Sequence, residues 1–148
     1  MLEAYRDGLD EMLVEPAWLG VEDLVERVFA LLGAYRRLLV ESDYAYGCPI
    51  GSLALELHEP DPPVRRLLAE NFDAWKARVA RCFEEVGERL PGSLSPELLV
   101  TFVLTVMEGA VMQAKAHGSL EPFATSVALL RGLVGGLVAE TWSGAEAR

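Results

Sequence analysis

The segment between Ser95-Pro96 and Gly118 constrains the fold most. Leu98, Leu99, Phe102, Val103, Leu104, Val106, Met107, Ala110, Val111 and Met112 cover nearly the whole circumference of a helix. A helix that is apolar all round must be covered on all sides, so this segment is expected at the centre of a helical bundle. Nothing in the chain alternates apolar and polar in the manner of a half-buried strand, and Ile50 is the only isoleucine. The reading is all-α, with about six helices around one core and a single domain over residues 1–148.

The remaining helices follow from caps and breakers. A first helix is expected over Leu2–Val14, ended by Pro16, and residues 1–16 read as a connector to a core over residues 20–142. A second starts near Gly20, with Glu22 and Asp23 in its first turn, and ends near Ser42. After an irregular link, Asp43–Pro49, a short helix covers about Ile50 to Leu57. Asp61-Pro62-Pro63 is an N-cap followed by proline. It opens a long amphipathic helix with Val64, Leu68, Phe72, Trp75, Val79, Cys82, Phe83 and Val86 inward, stopped by Leu90-Pro91-Gly92. Ser95-Pro96-Glu97 opens the next by the same logic. The last runs from Glu121-Pro122 to about Thr141, with Phe123, Val127, Leu130, Val134 and Leu137 along one face.

The last two helices carry more apolar surface than one chain of 148 residues can cover. A twofold dimer is therefore expected, with Val111, Ala114, Val127, Leu130, Gly132, Val134, Gly135 and Leu137 at the contact. Glycines in a helix cost about 1 kcal/mol each relative to alanine, and close backbone approach offsets that. A tight contact within one chain, or a kinked helix end, is the other reading of Gly132, Gly135 and Gly136.

Charge and motifs exclude several functions. The 13 Lys+Arg against 23 Asp+Glu leave a net charge of −10, which argues against direct binding of nucleic acid by this chain alone. Leu98–Met107 and Pro122–Leu130 are free of charge, yet fall short of the roughly 18 apolar residues of a membrane span. Glu3, Arg6, Asp7 and Asp10 leave no signal peptide at the start, and a cytoplasmic protein is expected. Cys48 and Cys82 have neither disulfide nor zinc spacing, so no metal and no cofactor are expected. His58 and His117 stand at helix ends, with no nucleophile elbow, phosphate loop or HExxH motif near them. The Glu84-Glu85-Glu88 run reads as a solvated helix face. No catalytic constellation is present, and the chain is not read as an enzyme.

Two features point toward ligand binding. Phe29, Tyr35, Phe72, Trp75 and Phe102 fall on inward helix faces, where with Met107 they line a pocket or simply fill the core. Glu108 follows Met107 in the most apolar helix, where an ionised carboxylate is costly unless paired. It reads either as a ligand anchor or as half of a salt bridge to a neighbouring arginine, or as a residue at the dimer rim.

At Gly47-Cys48-Pro49-Ile50-Gly51-Ser52-Leu53-Ala54 the chain resembles the C-terminal effector-binding and dimerisation domain of TetR-family transcriptional regulators. Many members read Gly-Cys-hydrophobic-hydrophobic-Gly-Asn/Ser-Leu-Ala there, and Pro49 is the departure. Residues 61–86 resemble their long central helix, and residues 98–118, with Glu108-Gly109-Ala110, their penultimate helix. The resemblance implies a homodimer closed by a four-helix bundle, and a small hydrophobic or amphipathic effector between the helices. The pocket it implies is bounded by Phe29, Tyr35, Cys48, Leu53, Leu57, Phe72, Trp75, Phe102, Val103, Met107 and Glu108. Family members begin with a DNA-binding head containing a helix-turn-helix, whereas Leu2–Val14 already matches the connector. The head is expected to be lost, removed or cut off by a start placed too late. The chain itself should then sense ligand and dimerise without binding an operator. A stand-alone dimerisation or adaptor module is the alternative.

Overall fold

Six helices form the chain in the computed structural model, which describes residues 1–87, 90–92 and 94–146, and side chains up to residue 139. There is no strand among the described residues. The first helix, α1, begins as Leu2–Leu9, passes through a π-helical turn, Asp10–Val14, and ends as Glu15–Trp18. Pro16 therefore does not end it, contrary to expectation. In the wide turn the Glu15 N–H bonds to the Asp10 carbonyl, one residue further back than in an α-helix. Proline lacks an N–H, and here it follows a turn whose bonding pattern has already changed register. Gly20, at φ 76°, turns the chain.

Helix α2, Leu24–Glu41, starts later than the acidic pair suggested, because Asp23 is the cap and accepts from the Glu26 N–H at 2.8 Å. Its inward side chains, among them Leu31, Leu32, Tyr35 and Leu39, are buried at the middle of the molecule. The link that follows holds Asp43 and Tyr44 at positive φ and presses Gly47 onto Val111. A side chain at position 47 would overlap that valine, which accounts for the glycine. Helix α3, Pro49–Glu56, is one short rod.

Helix α4 runs over Pro62–Ala80, tightens into a 3-10 turn at Arg81–Phe83 and continues through Glu84–Gly87. Trp75, Val79 and Phe83 are its buried anchors, while Glu84 and Glu85 are exposed. Glu88, the third member of that acidic run, lies outside the described residues. Helix α5, Pro96–His117, is capped by Ser95, whose hydroxyl accepts from the Leu98 N–H at 3.3 Å. It ends at Gly118, φ 58°, with the Ser119 N–H returning to the Ala114 carbonyl. Helix α6, Glu121–Glu146, doubles back along it. The Thr141 side chain, expected on the apolar face of α6, lies outside the described residues.

The connector α1 lies along α4, tied by Arg6 to Glu70 at 2.8 Å and by Arg78 to both Asp10 oxygens at 2.8 and 3.0 Å. Its C-terminal end docks on α2, where Trp18 Nε1 donates to the Arg27 carbonyl. Helix α5 is not buried on all sides. One face, with Val103, Met107 and Ala110, enters the core, whereas Leu98, Phe102 and Met112 face outward. Helix α6 repeats the pattern, with Phe123, Leu130 and Val134 inside and Leu129 and Leu133 outside. Both helices are long and apolar enough to cross a membrane by length and composition, a test that the core helix of a soluble protein also passes.

Candidate functional site

Glu108 stands where α5 crosses the start of α3. The first turn of a helix presents unbonded N–H groups and a partial positive charge. At α3 the capping position belongs to Cys48, which makes no capping bond. The Glu108 carboxyl reaches into this corner and occupies the space that a side chain at Gly51 would need. Its Oε1 atom is enclosed and has no hydrogen-bond partner.

Around that carboxyl lie the Cys48 thiol, which hydrogen-bonds to it, and the phenols of Tyr5 from α1 and Tyr35 from α2. Burial pushes Glu108 above its ordinary carboxylate value, against a smaller downward effect of the Cys48 hydrogen bond. The Cys48 thiol is pushed up to about 12, first by burial and then by the Glu108 charge. Burial likewise raises both phenols. The Tyr35 hydroxyl has no partner in good geometry, although the Tyr5 phenol lies beside it. No arginine reaches Glu108, so the salt bridge weighed from the sequence does not form among the described residues. Nor is Glu108 on the outer face with Phe102.

Beside this polar corner a groove of about 240 Å³ opens between α3, α4 and α5, lined by Gly51, Ala54, Leu55, Phe72, Glu108 and Met112. Except for Glu108, these lining side chains are apolar. A larger groove, about 310 Å³, runs between α1 and α4 past Asp10, Trp18, Arg78 and Arg81. Volume alone favours it, but its Asp10 and Arg78 already satisfy each other, whereas the smaller groove holds a carboxyl with no cationic partner and an unbonded Oε1. A third, about 270 Å³, lies between α5 and α6 under Phe102, Val106, Leu129 and Leu133.

The expected pocket residues divide among these places. Phe72 and Glu108 line the groove, and Tyr35 and Cys48 are buried in the corner behind it. Leu53 and Leu57 are half-buried on and after α3, packed on the core. Trp75, Val103 and Met107 are buried core, with Trp75 Nε1 left without a partner. Phe29 is also core and carries the Arg131 guanidinium 4.0 Å above its ring. Phe102 is a correction: it is 47% exposed and belongs to the α5–α6 groove, because the helix turns that flank outward.

The expected dimer contacts need a similar correction. Val111, Ala114, Leu130 and Val134 are buried within the chain itself. Val127 and Leu137 are half-buried, packed against the core. Gly132 and Gly135 are exposed, with open space where a Cβ would be. Four of the eight expected contacts are thus covered by the chain's own core, and Gly132 and Gly135 lie on its open surface. Tyr5, Gly51 and Met112 were missed. Gly51 was legible only as part of a motif, since its reason is a carboxyl 57 positions away in sequence. Among the described residues no group of three or more His, Cys, Asp or Glu is placed to hold a metal ion.

Comparison with known proteins bears on the whole arrangement. Residues 25–130 match the family described as Tetracyclin repressor-like, C-terminal domain. An uncharacterised HTH-type transcriptional regulator of Mycobacterium tuberculosis is 31% identical over 103 residues, which is 66% of this chain and 52% of that protein. The HTH-type transcriptional repressor DhaR of Mycobacterium sp. (strain GP1) is 29% identical over 90 residues, 60% of this chain and 46% of the repressor. The chain thus spans about half the length of the curated relatives it matches. The crystal structure of regulatory protein TetR from Rhodobacter sphaeroides superposes with a TM-score of 0.76, covering 87% of this chain and 69% of that one at 22% identity, a likeness of fold. The six-helix order, the Gly-Cys…Gly step at α3 and the family match over residues 25–130 agree, and the chain belongs to the TetR-like transcriptional regulators through their C-terminal domain.

Proposed function

We propose that this chain is the ligand-sensing and dimerisation part of a cytoplasmic TetR-like repressor, and that its effector is a small amphipathic molecule seated in the groove beside Glu108. The observation that carries this reading is one carboxyl, without a cationic partner and with its Oε1 enclosed and unbonded, on the wall of an otherwise apolar groove. Ligand sites commonly combine apolar walls with a few placed polar groups. Tyr5 supplies the link to output. It belongs to α1, lies beside Tyr35 and senses the charges of Cys48 and Glu108, so a molecule that displaces this corner changes the seat of α1. An effector shifts the regulator only insofar as it binds one seat of α1 better than the other. Operator contact is assigned to a helix-turn-helix outside the six helices described here.

Dimerisation rests on a separate observation. Leu98, Phe102, Leu129 and Leu133 form an apolar surface along α5 and α6 that the chain leaves uncovered. A twofold partner covers such a surface with its own copy.

A panel of small amphipathic compounds tests the sensing part by thermal unfolding. A ligand present at about 100 times its Kd adds roughly 2.7 kcal/mol to stability, a shift that Phe72→Ala should remove. The sensing reading fails if no compound raises the unfolding temperature, or if the shift survives Phe72→Ala unchanged.

A further inference from the structure

Resting on the groove reading above, we infer that the ligand this groove takes is a protonated amine with a short apolar body, its ammonium group paired with Glu108. The groove offers one carboxylate, from α5, and, apart from it, apolar side chains, among them Phe72 from α4. A carboxylate enclosed without a cation is costly, and a charged partner in hydrogen-bonding contact offsets the cost. The described residues supply none. The ion pairs of the described residues use Arg6, Arg66, Lys76, Arg78 and Arg131, none of them with Glu108. The start of α3 offers only the partial charge of a helix end. An aromatic ring among the residues lining the same groove favours a cationic ligand further. A carboxylate-bearing ligand would meet like charge at the same point. The volume, about 240 Å³, fits a small molecule of this kind.

The groups facing Glu108 from the neighbouring elements are the Tyr5 and Tyr35 phenols and the Cys48 thiol. Burial raises all of them, so they stay neutral between pH 5 and 8. Affinity for an amine should therefore follow the ionisation of Glu108 alone, weakening as pH falls.

Isothermal titration of the chain with n-octylammonium, 1-octanol and octanoate, each below its aggregation limit, tests this. At pH 8 octylammonium should bind at least about tenfold tighter than octanol, and octanoate weakest of the three, consistent with about 1.4 kcal/mol per tenfold. The preference should shrink severalfold at pH 5. Glu108→Gln should abolish it while octanol binding remains, and if that variant does not fold, the pH series on the unaltered chain decides. Equal binding of octanol and octylammonium, or a preference that survives Glu108→Gln, overturns the amine inference and leaves the groove reading standing. Binding of none of the three overturns both.

Discussion

The Glu108 carboxyl occupies the space that a Cβ at Gly51 would take, so the glycine at the start of α3 and the carboxylate on α5 are one packing unit. Gly51→Ala therefore forces a buried carboxyl to move. Alanine would gain up to about 1 kcal/mol in helix propensity, but overpacking of this kind costs about 1–3 kcal/mol. The displaced atoms are the far end of a flexible side chain, so the cost lies at the low end of that range and a small net destabilisation is expected in urea unfolding. The double variant Gly51→Ala/Glu108→Ala should lose less than the sum of the two single changes, since contacting residues couple. Additive losses would show that the two positions do not share this space.

Glu108 also sets a pH dependence. Its folded-state pKa lies above the ordinary carboxylate value through burial. The sign follows from linkage: the folded state holds this proton more tightly, so the contribution to stability is fully present below the unfolded pKa. It is lost as pH rises through the folded one. Glu108→Gln removes the titration. The stability difference, variant minus unaltered chain, should move in favour of the variant as pH rises from 4 to 8. A difference independent of pH would mean that the carboxyl is as well solvated in the folded chain as in the unfolded one.

Local signals explain what the sequence revealed. Ser95 and Gly118 act within a few residues of themselves, so the limits of α5 follow from a cap and a breaker, whereas Asp23, read as a first-turn acid, is the cap at the start of α2. Pro16 misled because a π turn absorbs it, and that turn depends on α1 lying on α4 through Arg78 and Asp10. The site was legible in part. Glu108 stood out as a charge in an apolar helix, but its surroundings come from α1, α2 and α3. Nothing in the spacing of residues 5, 35, 48 and 108 announces that they meet. The outward turn of Phe102 was equally hidden, since an all-apolar helix does not say which face the chain covers and which it leaves open.

The Arg78–Asp10 pair fixes α1 on α4 across the π turn. The Arg78 hydrogen bond holds the Asp10 carboxyl below its ordinary value, with burial opposing. A depressed carboxylate contributes stability above its unfolded pKa and loses it as pH falls through the folded one. Both partners are partly exposed, so the pair is worth only about 0.2–1 kcal/mol. Asp10→Asn should cost about that much at pH 7 and progressively less as pH falls below the ordinary aspartate range. Hydrogen exchange should show the main effect as faster opening of residues 2–18, with α5 unchanged. Uniform acceleration across the chain would mean that the pair does not act on α1 specifically.

Neither cysteine should behave as a reactive thiol. Burial and the Glu108 charge push Cys48 up to about 12, and burial pushes Cys82 up to about 11. Both side chains are enclosed, and the thiolate is the nucleophile. Labelling by iodoacetamide at pH 8 should proceed at the rate of local or global opening and accelerate with urea. Fast labelling of Cys48 in the native chain would show that the corner at the start of α3 is open to solvent.

The proposed dimer makes the last prediction, and it separates two kinds of leucine one residue apart. Leu130 is 2% exposed and faces the core, whereas Leu129 is 72% exposed on the outer surface. Leu130→Ala should cost about 2–5 kcal/mol of stability, as for other buried leucines. Leu129→Arg removes nothing from that core. It places a charge where the partner's apolar surface would lie, so association should weaken by well over about 1 kcal/mol if this is a central contact. Gly132→Leu should act in the same direction, since a Cβ there meets nothing within the chain and any clash must come from the partner. Sedimentation at micromolar concentration reads the outcome: a dimer for the unaltered chain, and a folded monomer of unchanged helix content for Leu129→Arg. A variant that stays dimeric would move the contact away from the surface formed by Phe102, Leu129 and Leu133.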